Sequence, residues 1–129
     1  MSALRRFVPF LALALLSQAA SFAADHAAYD QKAFEAAQAS NLPILLDVSA
    51  PWCPTCKAQK PILEKLTADP AYKELKVFEI DFDSQKDLLR TLRVQSQSTL
   101  IVYKGKVEEG RSTGDTAEAS IGALLHKSL

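Results

Sequence analysis

Four segments of the chain have the apolar runs that are typical of β-strands: residues 44–49, 76–81, 99–103 and 107–111. The first run is interrupted only by Asp47, a pattern that favours a central strand buried on both faces. The last two runs flank Lys104-Gly105-Lys106, which predicts a hairpin between them. The pattern therefore predicts a sheet of about four strands.

Helical spacing of apolar residues occurs between these strands. It predicts helices over residues 30–40, 54–67 and 84–93, and a last helix that begins at Asp115 or Thr116. Asp30 is expected to cap the first helix, because its carboxylate can accept an early backbone N–H. The positions expected to face inward are Ala33, Phe34, Ala36, Ala37, Leu88, Leu89, Leu92, Ala119, Ile121, Leu124 and Leu125.

The order of these elements, β-α-β followed by a hairpin and a helix, indicates the fold class. A strand, a helix and a second strand in succession imply parallel strands joined by a right-handed crossover. We therefore expect an α/β fold, with a small mixed sheet flanked by helices on both faces. Residues 24–129 are predicted to form this one domain.

Residues 1–23 have the pattern of a cleavable signal peptide. Arg5 and Arg6 precede an apolar run over residues 7–16, and Ser21-Phe22-Ala23 offers the small residues that a signal peptidase requires. The run is roughly half of the ~20 residues that span a bilayer, although an uncleaved anchor is the competing interpretation. We expect cleavage after Ala23, export to the periplasm and a mature form that does not span the membrane.

The charge balance of the expected mature chain argues against one class of partner. Removing residues 1–23 leaves 13 basic and 15 acidic residues, a net charge of about −2. A nucleic-acid-binding domain typically carries a basic surface. We therefore expect no nucleic acid as a partner.

Cys53 and Cys56 are the only cysteines, and they lie where the central strand meets the second helix. Unpaired N–H groups at a helix N-terminus favour an anion and lower the pKa of a thiol. We therefore expect Cys53 to be the attacking nucleophile. Cys56, one turn later and more covered, is expected to resolve the mixed disulfide. The pair would cycle between dithiol and disulfide in an oxidising compartment.

Two other interpretations of the cysteine pair compete with redox chemistry. A purely stabilising disulfide across so short a loop would contribute only roughly 2 kcal/mol, less than longer loops provide. A closed zinc site requires about four ligands, and two cysteines supply half of them. His26 and His126 lie near opposite ends of the mature chain and are interpreted as surface residues. No metal ligands are predicted, and the redox-active disulfide takes the place of a cofactor.

The segment Asp47-Val48-Ser49-Ala50-Pro51-Trp52-Cys53-Pro54-Thr55-Cys56-Lys57, followed by Pro61, resembles the active site of thioredoxins. The resemblance extends from about Asp30 to the C-terminus and implies a thioredoxin-like fold. It also implies that Asp47, six residues before Cys53, transfers the proton of the resolving thiol. It further implies a substrate-binding surface composed of Trp52, Pro54, Thr55, Gln97, Ser98 and Thr99.

The sequence departs from that family at two places. Thioredoxins carry a cis-proline opposite the cysteines, and here Ser98 occupies the position. The Gln97-Ser98 peptide is therefore either trans or held cis by its surroundings, because a cis bond before a non-proline residue costs ~2.5–4 kcal/mol. Thioredoxins also often carry a lysine near the buried acid, and Val77 is expected at the matching position. Ser98 predicts altered substrate handling, with a tolerated loop substitution as the competing interpretation.

The resemblance implies a periplasmic disulfide reductase, acting as a monomer. Its electron donor would be a membrane thiol transporter, and its substrates would be oxidised exported proteins. Pro54-Thr55 differs from the Gly-Pro pair of reducing thioredoxins, so a disulfide oxidase or isomerase stays open. A module that binds copper or an iron–sulfur cluster through the two thiolates is the alternative from another class.

Overall fold

The structure, a computed structural model, describes residues 23–129 and contains one five-stranded sheet with helices on both faces. The predicted signal peptide, residues 1–23, lies outside the described residues except for Ala23. Within residues 23–129, no helix is long and apolar enough to cross a membrane. The α/β class expected from the sequence is confirmed.

The sheet is mixed, and its strands are arranged in the order β1-β3-β2-β4-β5. The strands are β1 (Asp25–Ala28), β2 (Pro43–Ser49), β3 (Lys76–Asp81), β4 (Thr99–Lys104) and β5 (Val107–Thr113). Strands β1, β3 and β2 run parallel, while β4 is antiparallel to both β2 and β5. Strand β2 therefore lies at the centre of the sheet, as its continuous apolar run predicted.

The expected count of about four strands is wrong, because β1 forms a fifth. All four of its residues are exposed, and it pairs in parallel with the outer side of β3. An edge strand that buries no side chain needs neither alternation nor an apolar run. The sequence Asp-His-Ala-Ala at residues 25–28 therefore gave no strand signal.

Four helices connect and cover the strands. They are α1 (Gln31–Ala39), α2 (Pro54–Thr67), α3 (Lys86–Leu92) and α4 (Glu118–His126), and a short 3-10 turn (Pro70–Tyr72) precedes β3. The carboxylate of Asp30 accepts a hydrogen bond from the N–H of Ala33 at 2.9 Å, as expected of a cap. Helix α2 has the predicted bounds and continues through Pro61.

Each face of the sheet has its own apolar core, because side chains alternate between faces along each strand. Helices α2 and α4 cover one core, with buried residues Leu45, Leu63, Leu75, Val77, Leu100, Val102, Ile121, Leu124 and Leu125. Helices α1 and α3 cover the other, with Phe34, Ile44, Leu46, Val48, Phe78, Ile80, Leu89 and Ile101. Asp47 follows Leu45 by two residues and therefore faces α2.

Three of the alanines expected to face inward are exposed: Ala33, Ala36 and Ala119. Alanine is small enough to occupy either side of a helix, so its position adds little to an amphipathic pattern. Helix α4 also begins later than expected, with Ala117 at its N-cap. The carboxylate of Asp115 instead accepts from the N–H of Ala117 in the preceding turn.

Candidate active site

The two cysteines lie at the first turn of α2, where the chain leaves the carboxyl end of β2. Cys53 is the N-cap residue, and its Sγ accepts a hydrogen bond from the N–H of Cys56 at 3.1 Å. Pro54 occupies the first helical position, where the absence of an N–H costs nothing. The helix therefore directs its partial positive charge at the Cys53 sulfur, which favours a thiolate there.

Cys53 and Cys56 form a disulfide, with their Cα atoms 5.3 Å apart. Cys53 is 0% exposed and Cys56 is 9% exposed, so the expectation that Cys56 is the more covered is wrong. The Cys53 sulfur lies over the helix terminus, and both cysteines pack with Ala50 and Phe82. Exchange with a partner protein therefore requires local movement of the residues that cover the pair.

A groove of about 510 Å³ lies beside the disulfide, between α2 and the parallel part of the sheet. Asp47, from the middle of β2, and Cys56, from α2, both line it. Burial, and to a smaller extent the negative charge of Glu79, together raise the pKa of Asp47 to about 6. An acid with this pKa can accept a proton near neutral pH, as the resemblance implied for this residue.

The residue that faces Asp47 across the strand pair is Glu79, not Val77. Val77 pairs in register with Leu45 and is buried in the core, whereas Asp47 pairs with Glu79. Glu79 lines the same groove as Asp47. A second carboxylate thus faces the buried acid, which sequence alignment with the family did not indicate.

Trp52 immediately precedes the disulfide and is 54% exposed. Its indole N–H donates to the carboxylate of Asp83 at 2.8 Å, and its ring lies edge-on to Phe82 at 6.4 Å. These two contacts fix the ring at the surface beside the pair instead of in the core. An exposed apolar ring at this place can contact a substrate protein. The predicted role of Trp52 in substrate binding stays a prediction.

Ser98 lies in the loop immediately before β4 and has an unusual backbone conformation. No peptide bond among residues 23–129 is cis, so the Gln97-Ser98 bond is trans, and Ser98 has φ +58°. Its N–H donates to the carbonyl of Val48 at 2.8 Å, which ties the loop to β2. Its hydroxyl donates to the carbonyl of Gln97 at 2.6 Å, so the acceptor of this hydrogen is a backbone oxygen and not a sulfur.

The other residues predicted to bind substrate differ in their accessibility. Pro54 is exposed, whereas Thr55 and Gln97 are partly exposed. Thr99 is buried, and its hydroxyl donates to the carbonyl of Ser96 at 2.8 Å. Of the six residues expected to bind substrate, Trp52 and Pro54 are therefore exposed while Ser98 and Thr99 are buried, and the binding role of all six stays a prediction.

Gln59 is a residue of this region that sequence analysis missed. It lies on α2, is 1% exposed, and donates from Nε2 to the carbonyls of Ser98 at 3.2 Å and Asp115 at 2.9 Å. It thereby connects the helix that carries the cysteines with the Ser98 loop. A polar residue between the apolar positions of a helix usually faces solvent, so no sequence signal distinguished it.

The described residues do not bring further metal ligands to the pair. Within residues 23–129, no group of three or more His, Cys, Asp or Glu side chains is close enough to hold a metal ion. His26 is exposed, with its Nε2 3.3 Å from the hydroxyl of Thr67, and His126 is exposed on α4.

The positive φ of Ser98 predicts an unusual order of stability for two small substitutions. Ser98→Gly and Ser98→Ala both remove the hydroxyl, but only glycine adopts this conformation without a steric penalty. We expect the glycine variant to be more stable than the alanine variant by about 1 kcal/mol. Urea unfolding of the two oxidised proteins measures the difference, and equal stability or the reverse order would contradict the backbone assignment.

Comparisons with known proteins agree with this geometry. A sequence model of the Thioredoxin family matches residues 25–127. The chain is 31% identical to the thioredoxin Asp f 29 of Aspergillus fumigatus over 96 residues, which cover 74% of this chain and 84% of that protein. It is 34% identical to a thioredoxin of Mycobacterium bovis over 82 residues, covering 64% and 70% of the two chains.

The solved structures include a similar chain. The crystal structure of Trxlp from Edwardsiella tarda superposes with a TM-score of 0.76 and 44% sequence identity. The match covers 78% of this chain and 98% of that one.

Proposed function

Because the chain is a thiol-disulfide oxidoreductase that belongs to the thioredoxin family, we propose that it acts in the periplasm as a reductase of disulfides in exported proteins. The hydrogen bond from the N–H of Cys56 to the Cys53 sulfur is the observation that carries the catalytic part of this proposal. The signal-peptide pattern of residues 1–23 supports the location.

In the first step, the Cys53 thiolate attacks one sulfur of the substrate disulfide. A Cys53–substrate disulfide forms, the substrate S–S bond breaks, and the other substrate sulfur leaves as a thiolate. The helix N-terminus lowers the cost of holding the negative charge on Cys53 before the attack.

In the second step, the Asp47 carboxylate accepts the proton of the Cys56 thiol across the groove that both residues line. The Cys56 sulfur attacks the Cys53 sulfur, and the Cys53–substrate bond breaks with release of the second substrate thiolate. The substrate disulfide has gained two electrons, and the Cys53–Cys56 pair is oxidised. A membrane thiol transporter, proposed by family analogy, would then reduce the pair by the reverse exchange.

Trapping in cells tests this function. With Cys56→Ser, the mixed disulfide cannot be resolved, so the full-length chain expressed in a Gram-negative bacterium should accumulate as covalent adducts in the periplasmic fraction. Mass spectrometry of the adducts, which a reducing agent releases, would identify the substrate proteins. The matched control is Cys53→Ser combined with Cys56→Ser, which should give no adducts.

Several outcomes would contradict the proposal. Retention of the chain in the cytoplasm would reject the location. Wild-type protein that introduces disulfides into a reduced substrate faster than it reduces an oxidised one would indicate an oxidase. Purified protein that retains copper or iron through Cys53 and Cys56 would favour the binding module.

A further inference from the structure

Two carboxylates face each other across strands β2 and β3 beside the redox pair. Asp47 and Glu79 are partners in the parallel register, so their side chains point to the same face of the sheet. Adjacent strands lie about 4.8 Å apart, which places the two carboxylates in each other's electrostatic range. Both line the groove that also contains Cys56.

The other charged groups around this groove do not neutralise the pair. Asp81, also on β3, adds a third carboxylate to the lining, while Lys57 and Lys60 approach from α2. Among the ion pairs of residues 23–129, none joins either lysine to Asp47 or Glu79. Both lysines are exposed, so water screens their charge. Glu79 is therefore the close charged neighbour of Asp47 on the sheet.

We propose that Glu79 is a positioning residue of the redox site, whose negative charge keeps Asp47 able to take the proton of Cys56 near neutral pH. The inference rests on the proposed function, because it concerns the base that serves the resolving thiol. A negative neighbour favours the protonated form of Asp47, whereas a lysine facing it would favour the ionised form and weaken it as a base.

The exposure of the two carboxylates agrees with these roles, Asp47 as the base and Glu79 as the charged neighbour that acts on it. Asp47 is partly buried, whereas Glu79, which lines the same groove, is exposed. Desolvation is the main cause of the raised pKa of Asp47, and the charge of Glu79 acts in the same direction. Glu79 thus acts on the resolving thiol through Asp47, by means of its charge.

The test is a titration of Asp47 in the oxidised full-length protein, in which neither cysteine titrates. The ¹³C chemical shift of the Asp47 carboxyl carbon is followed against pH by NMR, with Asp47→Asn used for assignment. In Glu79→Gln we expect the midpoint to fall by roughly half a pH unit, the size expected of one solvent-exposed charge about 5 Å away. In Glu79→Lys we expect a larger fall, because the sign of the neighbouring charge is reversed.

Glu74→Gln is the matched control, because it makes the same change at an exposed glutamate that does not line the groove. Its midpoint should equal that of the wild type. An unchanged Asp47 midpoint in both Glu79 variants would overturn the inference, as would an equal fall in Glu74→Gln. If Glu79 had only a structural role, its replacement would alter stability, but the Asp47 midpoint would not fall progressively from the wild type to Glu79→Gln and Glu79→Lys.

Reduction of a model disulfide by the same proteins separates this inference from the proposed function. If Glu79 has the proposed role, the acid limb of the wild-type rate moves to lower pH in Glu79→Gln by the same amount as the NMR midpoint. If the wild type exchanges disulfides but the acid limb of the rate lies at the same pH in Glu79→Gln, the role of Glu79 is rejected and the proposed function is not. If the wild type does not exchange disulfides at all, the proposed function fails, whatever the titration shows.

Discussion

Cys53→Ser is expected to reduce the rate of disulfide reduction by at least about a hundredfold, because the attacking thiolate is lost. A serine hydroxyl at the same helix terminus remains protonated near neutral pH and cannot form a mixed disulfide. The measurement is the reduction of insulin by dithiothreitol, with the full-length protein as catalyst and the uncatalysed rate subtracted.

Cys56→Ser is the matched control for this prediction, since it makes the same atomic change one helical turn away. It should also lose turnover, but it should still form one covalent adduct with the substrate, through Cys53. If Cys53→Ser kept more than a tenth of the wild-type rate, or if Cys56→Ser formed no adduct while Cys53→Ser did, the assigned roles would be wrong.

Asp47→Asn is expected to stabilise the oxidised protein by about 2 to 3 kcal/mol at pH 7.5, while slowing disulfide reduction by roughly tenfold or more. Burial and the charge of Glu79 together raise the pKa of Asp47 to about 6, so the folded protein binds this proton more tightly than the unfolded chain does. The contribution of Asp47 to stability therefore falls as the pH rises from about 4 through 6, and the loss is complete above that range. Asparagine carries no charge at any of these pH values.

Urea unfolding of the wild type and Asp47→Asn at pH 4 and pH 7.5 measures this effect. The two proteins should have about equal stability at pH 4, where Asp47 of the folded wild type is protonated, and should differ at pH 7.5. Glu74→Gln serves as the control, because an exposed glutamate should give no such pH dependence. A stability difference that is the same at both pH values would contradict the raised pKa of Asp47.

The sequence was sufficient to predict the parts of the fold that bury apolar residues. The continuous run in β2 and the Leu and Ile positions of α4 predicted buried elements, and the structure contains them. Strand β1 could not be predicted in this way, because its pairing is made by backbone groups and its side chains are exposed. The predicted burial of Ala33, Ala36 and Ala119 was wrong for a related reason. Alanine occurs on both the buried and the exposed side of a helix, so it does not indicate which side is buried.

The part of the active site that residues close together in the sequence form could be predicted. Cys53 caps α2 and precedes Cys56 by one turn, so the pair could be recognised from local order. Asp47 and Glu79 face each other because of the register between β2 and β3, in which paired residues are 32 positions apart in the sequence. If the register between β2 and β3 were shifted by two residues, Val77 would face Asp47. Alignment of the sequence to a family does not determine this register. The positive φ of Ser98 and the bridging by Gln59 likewise depend on tertiary contacts.

The reduction potential of the Cys53–Cys56 pair tests the central claim most directly. The full-length protein is equilibrated in dithiothreitol or glutathione buffers of defined potential, and free thiols are counted by alkylation and mass spectrometry. A redox centre should convert as a two-electron couple, with both cysteines reacting together, at a potential between roughly −120 and −270 mV. A potential below about −300 mV would identify a structural disulfide and contradict the account.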